Sequence, residues 1–172
     1  MKFYSINNDY ANYLRLFCPN IPKTDYSRNG KCKCFLGIVI EINELEYFAP
    51  LTSWKPGYSN QTRLSGFVPI YDDINKKYLA AIKIYFMFPV PKGEYKEITF
   101  DRLEELRLFD NETEKYKYWN FLNKELSLLN EEDAKAQAKN IYNLYLKNGY
   151  NKGVHGIDYS IAEEKAKEYN KK

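Results

Sequence analysis

One histidine, His155, stands in the 172 residues, so acid–base chemistry by a histidine pair is excluded. No serine, histidine and acid follow one another in the order of a nucleophile-elbow hydrolase. No glycine-rich segment has the spacing that cradles a phosphate. There is no clustered set of carboxylates and histidines of the kind that holds a catalytic metal, and no cofactor is expected. His155 lies between Gly153 and Gly156 and reads as an exposed or turn histidine. Cysteine is scarce and odd in number: Cys18, Cys32 and Cys34. Without a leader peptide this argues against a disulfide scaffold, and Cys32-x-Cys34 lacks zinc spacing, so structural thiols are expected. No apolar run approaches the roughly 18 residues of a membrane span. Met1-Lys2-Phe3-Tyr4 enters directly into strand-like sequence, and a cytoplasmic protein is expected.

Aromatic residues are abundant, with 17 Tyr, 10 Phe and 2 Trp. A tyrosine joins an apolar ring to a polar tip, which suits a wet interface or a nucleobase platform as well as the rim of a core. The formal charge is only +3, which permits a nucleic-acid partner without requiring one. Its distribution says more. From Tyr47 to Tyr71 there is no acid, while Lys55 and Arg63 are basic; most acids follow Glu94, on sequence that reads as helical surface.

Lys2–Ile6 alternates as a first strand, and Asn7 or Asn8 caps a short helix carrying Tyr10, Tyr13, Leu14 and Phe17. Pro19 and Pro22 end it. A polar turn region with Asn29-Gly30 follows. Cys34–Ile42 is apolar and β-branched and reads as a buried strand. Asn43-Glu44 turns the chain and Leu45–Pro50 returns as its partner. Leu51–Gly66 reads as a long polar loop, a length more often functional than accidental. Phe67–Tyr71 and Tyr78–Phe88 form a second strand pair. Helices then follow over Glu112–Leu129, from Asn130 or Glu131 to Lys147, and over Ile161–Tyr169. The expected architecture is a single α+β domain over residues 1–172, an antiparallel sheet with helices packed on it.

Two basic clusters flank the buried strand. Thr52, Ser53, Trp54 and Lys55 leave the end of its hairpin partner. Hydroxyls donate to phosphate oxygens, lysine neutralises a phosphate and tryptophan stacks on a base. Tyr26, Arg28, Lys31 and Lys33 precede the strand itself. Hairpin topology gives both clusters a route to one end of the sheet, although the register is open. Tyr58 and Arg63 extend the candidate RNA-contacting set.

Lys2-Phe3-Tyr4, Lys33–Ile42 (KCFLGIVIEI), Tyr47–Lys55 (YFAPLTSWK) and Asp158–Lys165 (DYSIAEEK) together resemble the ToxN/AbiQ family, the protein toxins of type III toxin–antitoxin systems. The resemblance implies a compact, strongly twisted antiparallel sheet surrounded by helices, as in MazF/Kid-like toxins. It implies a metal-independent endoribonuclease acting in abortive infection against phage, and inhibition by small pseudoknot RNA repeats wrapped between toxin protomers. By position, Lys33 matches the family's lysine before the buried strand, and Thr52, Ser53 and Lys55 match its active-site loop. Tyr26 stands for the family tyrosine, but seven residues before Lys33 and five before Lys31. Either the turn carries an insertion or Lys31 takes the role given to Lys33. The implied chemistry uses RNA's own 2′-OH as nucleophile and leaves a 2′,3′-cyclic phosphate and a 5′-OH. Lys33 and Lys55 would stabilise charge on the phosphate while Thr52 and Ser53 hold it. The general base is left open, because a free lysine titrates at about 10.4, too high for the task at neutral pH. The alternative is a non-catalytic RNA-binding module using the same residues.

Overall fold

A computed structural model describes residues 1–26, 31–61, 66–152 and 155–169. The chain runs β1 (Lys2–Ile6), α1 (Asn8–Arg15), β2 (Asp25–Tyr26), β3 (Lys31–Cys32), β4 (Phe35–Ile42) and β5 (Leu45–Ser53). It continues through β6 (Phe67–Asp72), β7 (Lys77–Lys83), β8 (Phe88–Val90) and β9 (Tyr95–Glu97). The last third is α2 (Glu112–Leu128), α3 (Glu131–Asn148) and α4 (Tyr159–Tyr169). The class is α+β, as expected. Seven strands form one sheet in the order β6-β7-β5-β4-β1-β9, with β8 pairing β5, and every pairing is antiparallel. β2 and β3 make a separate two-stranded hairpin.

Local sequence explains the element boundaries. Asn7, Asn111 and Asn130 each accept a backbone N–H of the helix that follows, at 3.0 Å in all three cases. Asn43 and Glu44 both sit at positive φ, 51° and 65°, which closes β4 and β5 with a two-residue turn whose twist matches the strands. Gly37 is required by close approach. A Cβ there would lie 2.2 Å from the Phe48 ring and 2.8 Å from that of Tyr4. The β4–β5 register shifts just beyond it, between Gly37 and Ile40.

β5 is longer than its sequence suggests. The expected strand ends at Pro50, with Thr52 and Ser53 in a loop. Instead β5 runs to Ser53, because Leu51, Thr52 and Ser53 gain a second partner strand, opposite Ile82, Ala81 and Ala80 of β7. The Tyr78–Phe88 strand is correspondingly interrupted: β7 stops at Lys83, a 3-10 turn covers Ile84–Phe86, and β8 returns to pair Glu46–Phe48. β5 is thus paired along its whole length, on both sides at Glu46–Phe48 and by β7 at its far end, Leu51–Ser53.

The helices pack on this sheet, α3 against β4 and α4 against β8 and α1. α4 is held by the Tyr47 and Tyr142 hydroxyls, which both donate to Glu163. His155 differs from the exposed turn residue expected of it. It is 1 % exposed, accepts the Asn151 N–H at Nδ1 (3.3 Å), and places Nε2 3.0 Å from the Ile141 carbonyl. Those two bonds define a neutral tautomer with the proton on Nε2, bound into the core beside the Tyr145 and Tyr159 rings. Among the described residues no helix is long and apolar enough to cross a membrane.

Candidate active site

Lys33 of the first basic cluster meets the second. The Lys33 N–H donates to the Thr24 carbonyl at 2.7 Å, and the Leu51 N–H donates to the Cys34 carbonyl at 3.0 Å. These bonds lay the entry to β4 alongside the end of β5. Beyond Ser53, the Trp54 N–H reaches the Leu79 carbonyl at 3.1 Å, and Lys55 accepts the Tyr58 N–H at 2.9 Å through a 3-10 turn over Pro56–Gln61. Lys33, Thr52, Ser53 and Lys55 therefore line one cavity of about 450 Å³. That size lies within the usual range of ligand pockets, roughly 300–1,000 Å³. Ser53 and Lys55 are exposed, while Lys33 and Thr52 are half-buried.

The other walls come from sequence that motif reading passed over. Leu106 and Arg107 follow the 3-10 segment Phe100–Glu105, and Tyr118, Phe121, Leu122 and Glu125 project from α2. Arg107 pairs with Glu114 and lies over the rings of Phe109 and Tyr118, 4.9 and 5.0 Å from their centroids. The Tyr118 hydroxyl is 3.9 Å from Cys34 Sγ. Glu125 is a buried carboxyl at the same cavity, and burial pushes its pKa up to about 7. A signal for this wall existed. Tyr118, Leu122, Glu125 and Leu129 recur at helical spacing, so an acid occupies one position of an apolar stripe, where a glutamate is unusual.

The aromatic candidates are corrected. Tyr58, expected as an exposed ring for RNA, is 9 % exposed and packs edge-on against Trp54 and Phe67. It does not line the cavity. Burial opposes ionisation, yet hydrogen bonds with Thr52 and Lys83 and the charges of Lys83 and Lys55 outweigh it and hold the pKa below its ordinary value. Trp54 is half-buried and lies outside the cavity wall, one face stacked on Tyr78 at 4.0 Å and 12°. Tyr26 and Lys31 are backbone partners across the β2–β3 hairpin that leads into Lys33. Their side chains, and the whole of Arg28 and Arg63, lie outside the described residues.

The donor set is lysine and hydroxyl with a single carboxyl, which suits an anion better than a cation. Among the described residues no group of three His, Cys, Asp or Glu is placed to share a metal ion.

Comparison with known proteins bears on the family and the fold. The family model for toxin ToxN of type III toxin–antitoxin systems matches residues 2–170. The endoribonuclease ToxN of Pectobacterium atrosepticum is 29% identical over 175 residues, covering 99% of this chain and 95% of that protein. A solved protein from a bacterial antiviral system regulated by a processed non-coding RNA superposes with a TM-score of 0.81, at 26% identity over 98% of each chain. A second solved structure, of a type III system whose toxin is inhibited by a non-coding RNA pseudoknot, gives a TM-score of 0.81 at 25% identity over 99% of this chain and 98% of that one. The chain belongs to the ToxN family of type III toxin–antitoxin toxins, whose named relatives are endoribonucleases.

Proposed function

We propose that this chain is a metal-independent endoribonuclease toxin that cleaves RNA by in-line attack of the 2′-OH, leaving a 2′,3′-cyclic phosphate and a 5′-OH. The observation that carries the reading is the convergence of Lys33, Thr52, Ser53 and Lys55 from two separated segments on one cavity. Lys33 and Lys55 neutralise the charge that builds on the non-bridging oxygens. Thr52 and Ser53 hold the phosphate by hydrogen bonds, and their pairing to Ala81 and Ala80 of β7 limits the reorganisation needed as charge develops.

The implied partner is a small pseudoknot RNA that occupies this cleft and keeps the toxin silent, as the solved relative is inhibited. The biological role that follows is abortive infection, in which loss of the RNA frees the nuclease. The deciding assay is cleavage of RNA with excess EDTA, followed by analysis of the ends. Cyclic phosphate termini and resistance of a substrate 2′-deoxy at the cut nucleotide are expected. Cleavage that stops in EDTA and returns with Mg²⁺ overturns the mechanism. RNA bound but left intact under every condition would make the chain an RNA-binding module instead.

A further inference from the structure

Among the groups of the cleft with no task in the reading above is a buried acid. Glu125 is 2 % exposed, yet its side chain helps to line the cavity that Lys33, Thr52, Ser53 and Lys55 share. No hydrogen bond or ion pair among the described residues holds its carboxyl, and burial is the one influence on its titration. A carboxyl on a side chain buried this far is costly to ionise. A nearly buried acid on a cavity that lysines and hydroxyls also line points to a use in chemistry.

We infer that Glu125 is the general base of the reaction, taking the proton of the 2′-OH of RNA seated in this cleft, an inference that rests on the endoribonuclease reading. The 2′-hydroxyl proton moves to the Glu125 carboxylate as the 2′-oxygen bonds to phosphorus. The bond from phosphorus to the 5′-oxygen breaks, and that oxygen takes a proton from the ammonium of Lys33 or Lys55. Water then carries the proton held by Glu125 back to the lysine. No oxidant, reductant or second substrate enters.

Burial places the Glu125 pKa at about 7, so near neutral pH the group is both partly ionised and basic enough to accept a proton. In this division of roles Lys33 and Lys55 stabilise charge and supply the proton for the leaving oxygen, while Glu125 takes the proton of the nucleophile. The charged and titratable neighbours that share the cavity are Lys33 and Cys34 at the entry to β4, Lys55 beyond β5, Arg107 before α2, and Tyr118 on α2 itself. Arg107 pairs with Glu114.

The test is the pH–rate profile of the full chain on a short RNA, with wild type, Glu125→Gln and Glu125→Asp compared and folding checked by circular dichroism. Wild-type kcat should rise with pH through an apparent pKa near 7 and then level. Glu125→Gln should be slower by about 10²–10⁴-fold with KM little changed, and its acid limb should disappear. Glu125→Asp should retain the limb at reduced rate, which keeps the test sharp if the glutamine variant misfolds. A substrate with sulfur in place of the bridging 5′-oxygen needs no proton on its leaving group, so it should not rescue Glu125→Gln. An unchanged acid limb in Glu125→Gln, rescue by the sulfur substrate, or a pure KM effect overturns the assignment. Wild type that cleaves nothing at any pH instead overturns the endoribonuclease reading beneath it.

Discussion

The Leu51 N–H donates to the Cys34 carbonyl at 3.0 Å, and this one backbone bond sets Lys33 beside Thr52. The two residues come from separate segments of the chain, one before β4 and one at the end of β5. Neither cluster has enough polar groups to hold a phosphate alone. Together they supply two ammonium groups and two hydroxyls around one cavity.

Lys55→Ala should therefore abolish growth inhibition while leaving the fold intact. Lys55 is exposed and makes its backbone bond through its carbonyl, so truncating the side chain should change stability by no more than about 0.5 kcal/mol. Expression without the antitoxin, together with the circular dichroism of the variant, reads both effects. A folded variant that is fully toxic removes Lys55 from the site. Lys33→Ala should behave in the same way. If only Lys31→Ala does, the match of this chain to the family is displaced by two residues.

Much of this arrangement was legible in the sequence, for identifiable reasons. The Cys34–Ile42 run and the Asn43-Glu44 turn are local signals, and hairpin connectivity carried the two basic clusters to one end of the sheet. Asparagine caps marked three helices. What escaped was set by partners distant along the chain. Leu51–Ser53 reads as loop until β7 arrives to pair it. Tyr58 reads as an exposed loop aromatic until Phe67 and Trp54 cover it. His155 looks like a turn residue between glycines, and only the Ile141 carbonyl and the Asn151 N–H make it a core residue. Glu125 was hidden because a single acid on an amphipathic helix looks like ordinary surface unless the stripe it interrupts is traced.

Gly37→Ala tests the packing beneath the site. The added Cβ would meet Phe48 Cε1 at 2.2 Å, and that ring cannot retreat. Phe48 is fully buried, edge-to-face with Tyr4 at 5.3 Å and tilted on Tyr95 at 4.7 Å. Overpacking of this kind costs about 1–3 kcal/mol. A melting temperature lower by several degrees is expected, with toxicity retained well below it. An unchanged Tm would mean that the Phe48 ring is not held where the structure puts it.

RNA binding makes a separate prediction. With a formal charge of +3, general attraction to phosphate is weak, so tight binding must come from specific geometry in and around the cleft. Protein made together with its native upstream DNA should purify with a small RNA, and that RNA should survive a change from about 50 to 200 mM salt. A purely electrostatic complex making six or more phosphate contacts would lose about 10³-fold or more in affinity over the same interval. Ready loss of the RNA in moderate salt would favour non-specific attraction. Isolation of nucleic-acid-free, non-toxic protein from the native context would count against a type III toxin altogether.

Glu125 also predicts how stability follows pH. Burial raises its folded-state pKa to about 7 from an ordinary 4.5, so between those values the folded chain holds a proton that the unfolded chain releases. Stability from the protonated form is fully present below about pH 4.5 and is lost as pH rises through 7. Ionising the group in the folded protein then costs up to about 3 kcal/mol, since a tenfold change in proton affinity is worth about 1.4 kcal/mol. Glu125→Gln keeps the shape and hydrogen-bonding capacity of the neutral acid and cannot ionise. Near pH 5 the variant and wild type should unfold at similar urea concentrations. By pH 8 the variant should be the more stable, with the gap opening between about pH 5 and 7.5. A gap that does not change with pH would mean that the folded protein already stabilises the Glu125 carboxylate. Greater stability joined to lost activity is the pattern expected of a chemical group that the fold tolerates at a cost.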